Sequence, residues 1–363
     1  MTLSSDKPQG VGPAIVNSGG DAGEDGRAAV QQSVAEGVTS DQMTASLGYR
    51  VCVFSYNRGR HLQTCLESVF SNSRAESVVV YDDGSDDRET RRVLATWEGR
   101  ARIVRRCRDD ATGGNRGRLH RNMEHALEEA RSHGVPYALM LQDDMQIVRP
   151  VFHEDISTWN AFFEGNTNSV TLYVAFDVHH EASPEEWYLD ASGTALLPQY
   201  PITSDSYSAT GLFDVRRFHE AIGQLEVTEH RTTLKLASRG FVKGRACAPF
   251  TMFTPYPMTT RRGWSVRGVK TYVAERLSGA GVHPYRTMAA EKVNELRRRH
   301  CASPPLARAW LDCPSMQHRA VWSYYGGPRD LRAVGGFRSA LGWLLGGRAP
   351  SMRRGSADKA SIH

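Results

Sequence analysis

The sequence lacks several patterns that would each assign a class of protein. No apolar run approaches the ~18–20 residues that a membrane-spanning helix needs, and no basic region followed by an apolar core opens the chain. We therefore expect no transmembrane segment and no secretory signal. The six cysteines form no CxxC pair, and no histidines stand at zinc-ligand spacing. Scattered cysteines are typical of a reducing cytosol, so we expect buried free thiols in a cytoplasmic protein.

Two phosphate-binding motifs are also missing. The dinucleotide fingerprint GxGxxG does not follow the first predicted strand, where a nicotinamide enzyme needs it, and the P-loop pattern GxxxxGK[ST] does not occur. Residues 112–117 are rich in glycine but lack the P-loop lysine. The simpler interpretation of that stretch is a flexible loop before a helix.

The composition is that of an ordinary globular protein, with 40% hydrophobic and 23% charged residues. The length of 363 residues allows one large domain or two modest ones. Residues 1–47 are rich in Gly, Ser, Asp and Ala, which predicts a disordered leader. The first 48 residues carry six acidic and two basic side chains, and the rest of the chain therefore has a formal charge of about +9. Such a basic body suits an anionic ligand, although mild basicity can also serve solubility alone.

In residues 50–145, short continuous apolar runs alternate with longer segments whose apolar residues recur every three or four positions, as on one face of a helix. The predicted strands are 50–55, 77–82, 101–106 and 137–142, and the predicted helices are 60–70, about 87–97 and about 117–132. Ser85 or Asp86 can cap the second helix. This order predicts an α/β fold with a Rossmann-like, mostly parallel sheet and helices on both faces. Residues 169–177 are a further predicted strand, and residues 178–205 are expected to form loops.

Polar residues follow the predicted strands at one edge of the sheet, since right-handed crossovers bring these strand ends together. The residues are Tyr56, Asn57, Arg58, Asp82, Asp83, Asp143 and Asp144. Ligands of open α/β sheets bind at this edge. Adjacent acids such as Asp143 and Asp144 raise each other's pKa unless a cation lies between them, and a divalent ion with oxygen ligands is the simplest one. The alternative is a solvated turn after a strand.

Three segments in this order, VCVFSYNRGRHLQTCLESVF, VVVYDDGSDD and ALMLQDDM, resemble the family 2 glycosyltransferases with the GT-A fold. The resemblance covers residues 49–145 well and 205–245 more loosely. It implies transfer of a sugar from a nucleotide-diphosphate donor to an acceptor hydroxyl, usually with Mn²⁺ or Mg²⁺. The domains that we infer are a catalytic domain at 48–250 with a donor half (48–148) and an acceptor half (149–250), a C-terminal extension with loops and helices at 251–335, and a short apolar stretch with a disordered tail at 336–363.

The resemblance also implies roles for individual residues. The expected contacts with the nucleotide sugar are Phe54, Tyr56, Asn57, Arg58, Asp83, Arg118 and Asp143. Among them, Tyr56 would lie near the base ring, Asp83 would accept from the base or ribose, and Arg118 would meet the diphosphate. Asp144 would bind the metal ion. Gln142 departs from the family, because many members place the first acid of a DxD motif there; the uncharged amide implies weaker metal binding.

A catalytic base is implied by the loosely matching segment. Counting back from the turn at 239–241, Glu229 falls on the acid that acts as the base in inverting members, while Thr228 replaces its acidic neighbour. A carboxylate is suited to take the proton of an attacking hydroxyl. Glu226 is the substitute candidate. The alternative is that both acids only favour the start of a helix.

A third metal ligand often comes from late in a GT-A chain. The candidates are His283, His300 and His318, although a structural role is favoured for any lone histidine. The arginines and the lysine at 261–270 are more simply a solvated basic surface than a loop that closes on the diphosphate. The QxxRW spacing of processive synthases is absent at 317–322, which argues against a membrane polymer synthase.

Three functions remain open from the sequence. A glycosyltransferase leads, and its acceptor would be a carbohydrate, a lipid-linked molecule, a peptide or a small molecule. A nucleotidyltransferase on a related fold would carry a glycine-rich loop with a basic residue directly after the first strand, where SYNRGR fits less well. Gln142 and Thr228 support a non-catalytic nucleotide-sugar binding protein. We expect no nucleic-acid partner, and residues 337–345 could contact a membrane surface, although core packing is the simpler use.

Overall fold

The structure is a computed structural model, and it describes five ranges of the chain. These ranges are residues 47–105, 118–177, 186–200, 206–254 and 282–314. The predictions for the leader, for residues 261–270, for His318 and for the apolar stretch at 337–345 lie outside them.

A nine-stranded sheet forms the centre of the described chain, and a two-stranded sheet lies apart from it. The strands are β1 (Leu47–Ser55), β2 (Ala75–Asp82), β3 (Arg102–Arg105), β4 (Tyr137–Gln142), β5 (Met145–Ile147), β6 (Thr171–Tyr173), β7 (Trp187–Leu189), β8 (Ala195–Pro198), β9 (Gly211–Asp214), β10 (Gly244–Ala246) and β11 (Thr251–Phe253). The order in the large sheet is β3-β2-β1-β4-β9-β6-β10-β8-β7, and β5 pairs with β11 in the small one.

The four predicted strands of the first half are the parallel block β3-β2-β1-β4. In the large sheet, β9 runs antiparallel to β4 and to β6, and β8 runs antiparallel to β10 and to β7. All the other strands of that sheet therefore point the same way. The carboxyl ends of β1, β2, β3 and β4 lie at one edge, as predicted. The expected strand at 169–177 is shorter, and isolated bridges at Ala175 and Asp177 continue its pairing.

Helices cover both faces of this sheet. They are α1 (Gly59–Asn72), α2 (Arg88–Trp97), α3 (Arg118–Ser132), α4 (His153–Gly165), α5 (Val215–Ile222), α6 (Glu229–Ala237), α7 (Ala290–Arg298) and α8 (Ala307–Trp310). The apolar stripes of α1, α2 and α4 pack into a core on one face, and those of α3, α5 and α6 pack into a core on the other. The predicted α/β class with helices on both faces is confirmed.

Two glycines allow close approaches between elements of the sheet and its helices. Gly59 begins α1, and a Cβ atom there would lie 2.6 Å from the backbone of Glu89 and Thr90 at the start of α2. Gly211 begins β9 at a φ of +126°, and its Cβ would lie 2.8 Å from the carbonyl oxygen of Leu172 in β6. Any side chain at either position would push neighbouring elements apart.

The segment 282–314 packs on the small sheet through a third core, which includes Phe176, Met252 and Leu296. A buried ion network ties it to α4. The fully buried Arg149 binds both carboxylate oxygens of Asp155 at 2.8 and 3.0 Å, and Arg297 of α7 reaches the same carboxylate at 2.8 Å. Each charge therefore has a partner, as burial requires.

Three local expectations were wrong. Asp87 caps α2 by accepting from the Thr90 amide at 2.9 Å, because Ser85 and Asp86 are engaged with Asp82 and Asn57 instead. The hairpin β7–β8 occupies part of the region expected to be loops. A disulfide joins Cys247 to Cys301, with Cα atoms 5.8 Å apart, where free thiols were expected. The expectation is confirmed for the buried free thiols Cys52, Cys65 and Cys313.

Candidate active site

The acid pair follows β4 directly, at the carboxyl edge of the parallel block. Asp143 and Asp144 are each only 3% exposed. The amide of Asp143 donates to the carbonyl of Phe54 in the neighbouring strand at 3.0 Å, which extends the β1–β4 pairing to the edge. The pair is therefore held by the sheet itself, and the alternative of a solvated turn is excluded by its burial.

Arg58, which precedes α1, joins the two acids. Its Nη1 atom donates to Asp143 Oδ1 at 3.1 Å and to Asp144 Oδ2 at 2.9 Å. The side chain of Arg58 is 25% exposed, whereas those of the acids are 5% exposed. The guanidinium thus lies on the solvent side of the pair and supplies the cation that adjacent buried carboxylates require.

One guanidinium does not fully offset two buried acids. Burial raises the pKa of Asp143 to about 6, because the positive charge of Arg58 and the amide of Tyr56 only partly oppose the burial, and the Asp144 carboxylate adds to the rise. Additional positive charge, beyond what the described residues provide, would therefore stabilise the ionised acid pair.

The remaining carboxylate oxygens differ in what they bind. Asp143 Oδ2 accepts from the Tyr56 amide at 3.1 Å. Asp144 Oδ1 is buried and has no hydrogen-bond partner among the described residues. A buried carboxylate oxygen without a hydrogen-bond partner is suited to bind a hard cation, because such cations prefer oxygen ligands. The acid pair fits a divalent metal ion through Asp144, although no group of three His, Cys, Asp or Glu side chains within the described ranges forms a complete ligand set.

Asn57 fixes the loop that carries Tyr56 and Arg58. Its backbone has a φ of +53°, and its amide donates to Ser85 Oγ at 2.9 Å. Its side chain donates to Asp86 Oδ1 at 2.7 Å and accepts from the amides of Asp86 and Asp87 at 2.9 and 3.2 Å. The loops after β1 and β2 are therefore bonded to each other, and the side chain of Asn57 serves this bond rather than facing the edge.

The turn after β2 presents Asp83 and lies beside α3. Ser85 closes the turn by donating through its amide and hydroxyl to the buried Asp82. Asp83 lies 4.0 Å from the guanidinium of Arg118, the first residue of α3. Tyr56 is 42% exposed at the same edge. An exposed ring, an acid and a guanidinium thus surround the approach to the acid pair.

Glu229 opens α6 and reaches the same edge from the other side. Thr228 caps the helix by accepting from the Arg231 amide at 3.3 Å, and Glu229 Oε1 accepts from the Ala209 amide at 2.9 Å. Ala209 lies two residues before Gly211, which pairs with Met140 of β4. By that register Ala209 is level with the end of β4, where the acid pair begins.

Sequence reasoning did not find His120, on the first turn of α3. Its Nε2 atom is buried without a hydrogen-bond partner in the described part of the chain. Burial lowers the pKa of His120, and the negative charge of Glu229 opposes that change. No motif surrounds His120 in the sequence, so only the packing of α3 beside α6 brings it into the neighbourhood of Glu229.

Several predicted residues lie elsewhere. Phe54 is 5% exposed and stacks on Tyr81 at 5.5 Å in the core, so its side chain does not reach the edge. Glu226 pairs with Lys235 at 3.0 Å along α6. His300 is exposed after α7, and the role of His283 as a third metal ligand stays a prediction. The structure therefore brings together Tyr56, Arg58, Asp83, Arg118, Asp143 and Asp144, with Glu229 across the edge.

Residues 50–152 match the family described as Glycosyl transferase family 2. This segment is similar to that family. The predicted resemblance is confirmed, and with it the GT-A type of fold. Most residues of the candidate site described above, from Tyr56 to Asp144, fall within the matched segment, whereas Glu229 lies outside it. No curated protein sequence matches the chain.

The solved structures found by comparison include a mannosyltransferase and a nucleotidyl transferase. A mannosyltransferase from Pyrobaculum calidifontis, in complex with GDP-Man and Mn²⁺, is 15% identical over 84% of this chain and 80% of its own, with a TM-score of 0.35. A nucleotidyl transferase from Methanothermobacter thermautotroptrophicus is 12% identical over 63% of this chain and 95% of its own, with a TM-score of 0.32. These scores are low, and the glycosyltransferase assignment rests on the family match.

Membrane-spanning helices were not expected from the sequence. Within the described ranges, no helix is both long enough and apolar enough to cross a bilayer.

Proposed function

We propose that the protein transfers a sugar from a nucleotide-diphosphate donor to an acceptor hydroxyl, with inversion and with the help of Mn²⁺ or Mg²⁺. The observation that carries this proposal is the buried acid pair at the carboxyl edge of a segment that matches family 2, where one Asp144 oxygen has no hydrogen-bond partner among the described residues. The acceptor is a carbohydrate, a lipid-linked molecule, a peptide or a small molecule.

The donor site in this proposal uses the residues around the acid pair. The exposed ring of Tyr56 stacks on the base, and Asp83 accepts from the base or ribose. Arg118, whose guanidinium lies 4.0 Å from Asp83, turns to the diphosphate. Asp143 accepts from the ribose or sugar, and Asp144 holds the metal ion. A divalent cation bound there supplies Lewis-acid stabilisation of the charge that gathers on the departing nucleoside diphosphate.

Glu229 acts as the base in this proposal. The hydrogen bond from the Ala209 amide fixes one oxygen of its carboxylate, so the other is available to take the proton of the attacking hydroxyl. The carboxylate and the acid pair lie at the same sheet edge, which supports attack on the sugar from the face opposite the leaving group. Attack from that side inverts the sugar configuration.

A thermal-shift panel of nucleoside diphosphates, with and without Mn²⁺, tests the donor site. A ligand at 100 times its Kd stabilises the folded state by about 2.7 kcal/mol, so the matching nucleotide should raise the Tm measurably. We expect that rise to need Mn²⁺ and to disappear in Asp144→Asn. Asp312→Asn, at a half-exposed carboxylate that pairs with Arg286, is the matched control and should keep the rise. If no nucleotide raises the Tm of the wild-type protein, the proposed function is wrong.

A further inference from the structure

Arg58 lies where the metal ion of the proposed donor site would have to bind. Its Nη1 atom is 2.9 Å from Asp144 Oδ2 and 3.1 Å from Asp143 Oδ1, so the guanidinium already holds the position between the two carboxylates. The open atom, Asp144 Oδ1, belongs to the same carboxylate. A cation bound to Asp144 would therefore lie within a few ångströms of a second positive charge.

We propose that Arg58 is the resident cation of the acid pair in the metal-free protein, and that a divalent metal ion displaces it toward the donor diphosphate. The inference rests on the proposed function for the diphosphate, while the displacement itself needs only the metal ion. The acid pair keeps a cation in both states, first the guanidinium and then the metal ion. The diphosphate gains a guanidinium that is suited to bind phosphate oxygens in pairs.

The geometry allows this movement without a change of fold. The side chain of Arg58 is 25% exposed and lies outside the acids, which are 5% exposed, so the path outward is toward solvent. Arg58 precedes α1, and its side chain makes no capping bond to that helix. The backbone beside it is fixed by the bonds of Asn57 to Ser85 and Asp86. The proposed movement is therefore confined to the side chain of Arg58, and the backbone of the loop keeps its place.

The guanidinium of Arg58 and the metal ion compete for the same carboxylate pair. Each cation therefore weakens the binding of the other. Removal of the guanidinium charge should tighten the binding of Mn²⁺, because the ion no longer displaces a partner or meets a like charge. The same change should weaken nucleotide binding once Mn²⁺ is present, because the diphosphate loses its guanidinium. An arginine with a purely structural role would not produce these two opposite effects.

Calorimetric titration of Mn²⁺ alone, without any nucleotide, tests the displacement. We expect Arg58→Gln to bind Mn²⁺ at least about tenfold more tightly than the wild type, within the usual 5–150-fold range of couplings between sites. Arg58→Lys keeps the charge and should stay within about threefold of the wild type, since the competing charge remains. Arg60→Gln removes an equal charge from an exposed position two residues along, and it controls for the general field of the protein.

The stability of the variant gives a second readout. Arg58→Gln leaves two buried acids without their cation, so its Tm in EDTA should fall below that of the wild type. Mn²⁺ should restore the Tm of Arg58→Gln by more degrees than it raises that of the wild type. Equal or weaker Mn²⁺ binding by Arg58→Gln, or no Mn²⁺ binding by either protein, overturns the displacement.

Titration with UDP and with GDP at saturating Mn²⁺ tests whether the displaced Arg58 binds the diphosphate. We expect at least about fivefold weaker binding of the preferred nucleotide by Arg58→Gln than by Arg60→Gln. If Arg58→Gln binds Mn²⁺ more tightly but has an unchanged nucleotide affinity, the proposed movement of Arg58 to the diphosphate is wrong. Because the Mn²⁺ titration contains no nucleotide, it decides the displacement even if neither nucleotide binds and the proposed function fails.

Discussion

The carboxylate of Glu229 accepts a hydrogen bond of 2.9 Å from the backbone amide of Ala209, twenty residues earlier in the chain. This bond ties the first residue of α6 to the segment that leads into β9. Because β9 pairs with β4, the bond places the carboxylate at the edge where the acid pair begins. One oxygen is thereby oriented by the backbone, and the proposed base does not depend on a flexible side chain alone.

We predict that Glu229→Gln stops sugar transfer while leaving donor binding intact. The glutamine carbonyl can still accept from the Ala209 amide, so the fold and the position of the side chain are kept. The variant cannot take a proton, and general-base catalysis typically contributes about 10²–10⁴-fold to a rate. Measurement of product formation beside nucleotide affinity separates the two effects.

Glu226→Gln is the matched control for that experiment. Glu226 lies three residues earlier and pairs with Lys235 at 3.0 Å, away from the Ala209 amide. Its variant should transfer sugar at close to the wild-type rate. If Glu226→Gln loses transfer and Glu229→Gln keeps it, the two acids exchange roles and the base is the substitute candidate.

We predict that Gly211→Ala destabilises the protein by about 2–5 kcal/mol, from overpacking of roughly 1–3 kcal/mol together with the strain of a positive φ of about 1–2 kcal/mol. The new methyl group would lie 2.8 Å from the Leu172 carbonyl at a φ of +126°. Gly223→Ala is the control, since it also has a positive φ of +71° but nothing within 4 Å of its Cβ. Urea unfolding of both variants measures the difference, and equal losses would show that the close contact is unimportant.

The strands of the parallel block were predictable from the sequence, and the hairpin β7–β8 was not. β4 is almost entirely apolar and buried, and β1 and β2 each contain an apolar run, at residues 51–54 and 78–81, which gives a strong local signal. The hairpin β7–β8 has strands of three and four residues. Its shape depends on the buried Asp190, which accepts from the amides of Thr194 and Ala195 at 2.9 Å. An aspartate in a polar stretch looks like any turn residue before its bonds are known.

We predict that His61 makes the protein less stable in mild acid. Burial, with help from Arg58 and Arg60, lowers the pKa of His61 from 6.5 to about 3. The unfolded chain therefore binds a proton below pH 6.5 that the folded chain rejects, and stability falls as the pH falls through the range from 6.5 toward 3. Between pH 7 and pH 5 this effect amounts to about 2 kcal/mol.

The control for His61 is His61→Phe, which fills the buried position with a ring that does not titrate. Urea unfolding at pH 7 and at pH 5 gives the loss of stability for each protein. We expect the variant to lose about 2 kcal/mol less than the wild type over that interval. The same loss in both proteins would assign the acid sensitivity to other groups.

We predict that reduction of the Cys247–Cys301 disulfide lowers the free energy of unfolding. The bridge closes a separation of 54 residues, for which the chain-entropy relation gives an upper value of about 4 kcal/mol. The Tm should fall when a phosphine reductant is added to the wild-type protein. The double variant Cys247→Ser/Cys301→Ser should begin at the lower Tm and not respond to the reductant. A wild-type Tm that ignores the reductant would contradict the prediction.

The members of the candidate site were largely predictable, but their contacts were not. The alternation of strands and helices is enough to bring Arg58, Asp83 and Asp143 to one edge. The contact of Arg58 with both acids depends on side-chain geometry across 85 and 86 residues. Nothing in a local pattern reports such a contact, and the same is true of the disulfide, whose cysteines stand in no recognisable motif.

The ion pair between Asp155 and Arg297 affects the order in which parts of the chain can finish folding during synthesis. Its bond to Arg297 spans 142 residues. While the ribosome is still synthesising the middle of the chain, α4 can form with Arg149 as its neighbour, but its second cation has not yet been translated. A nascent chain folds from its amino terminus as it emerges. The last step of folding must therefore wait until α7 has left the exit tunnel, and a chain that stopped before it would carry an incomplete α4 interface.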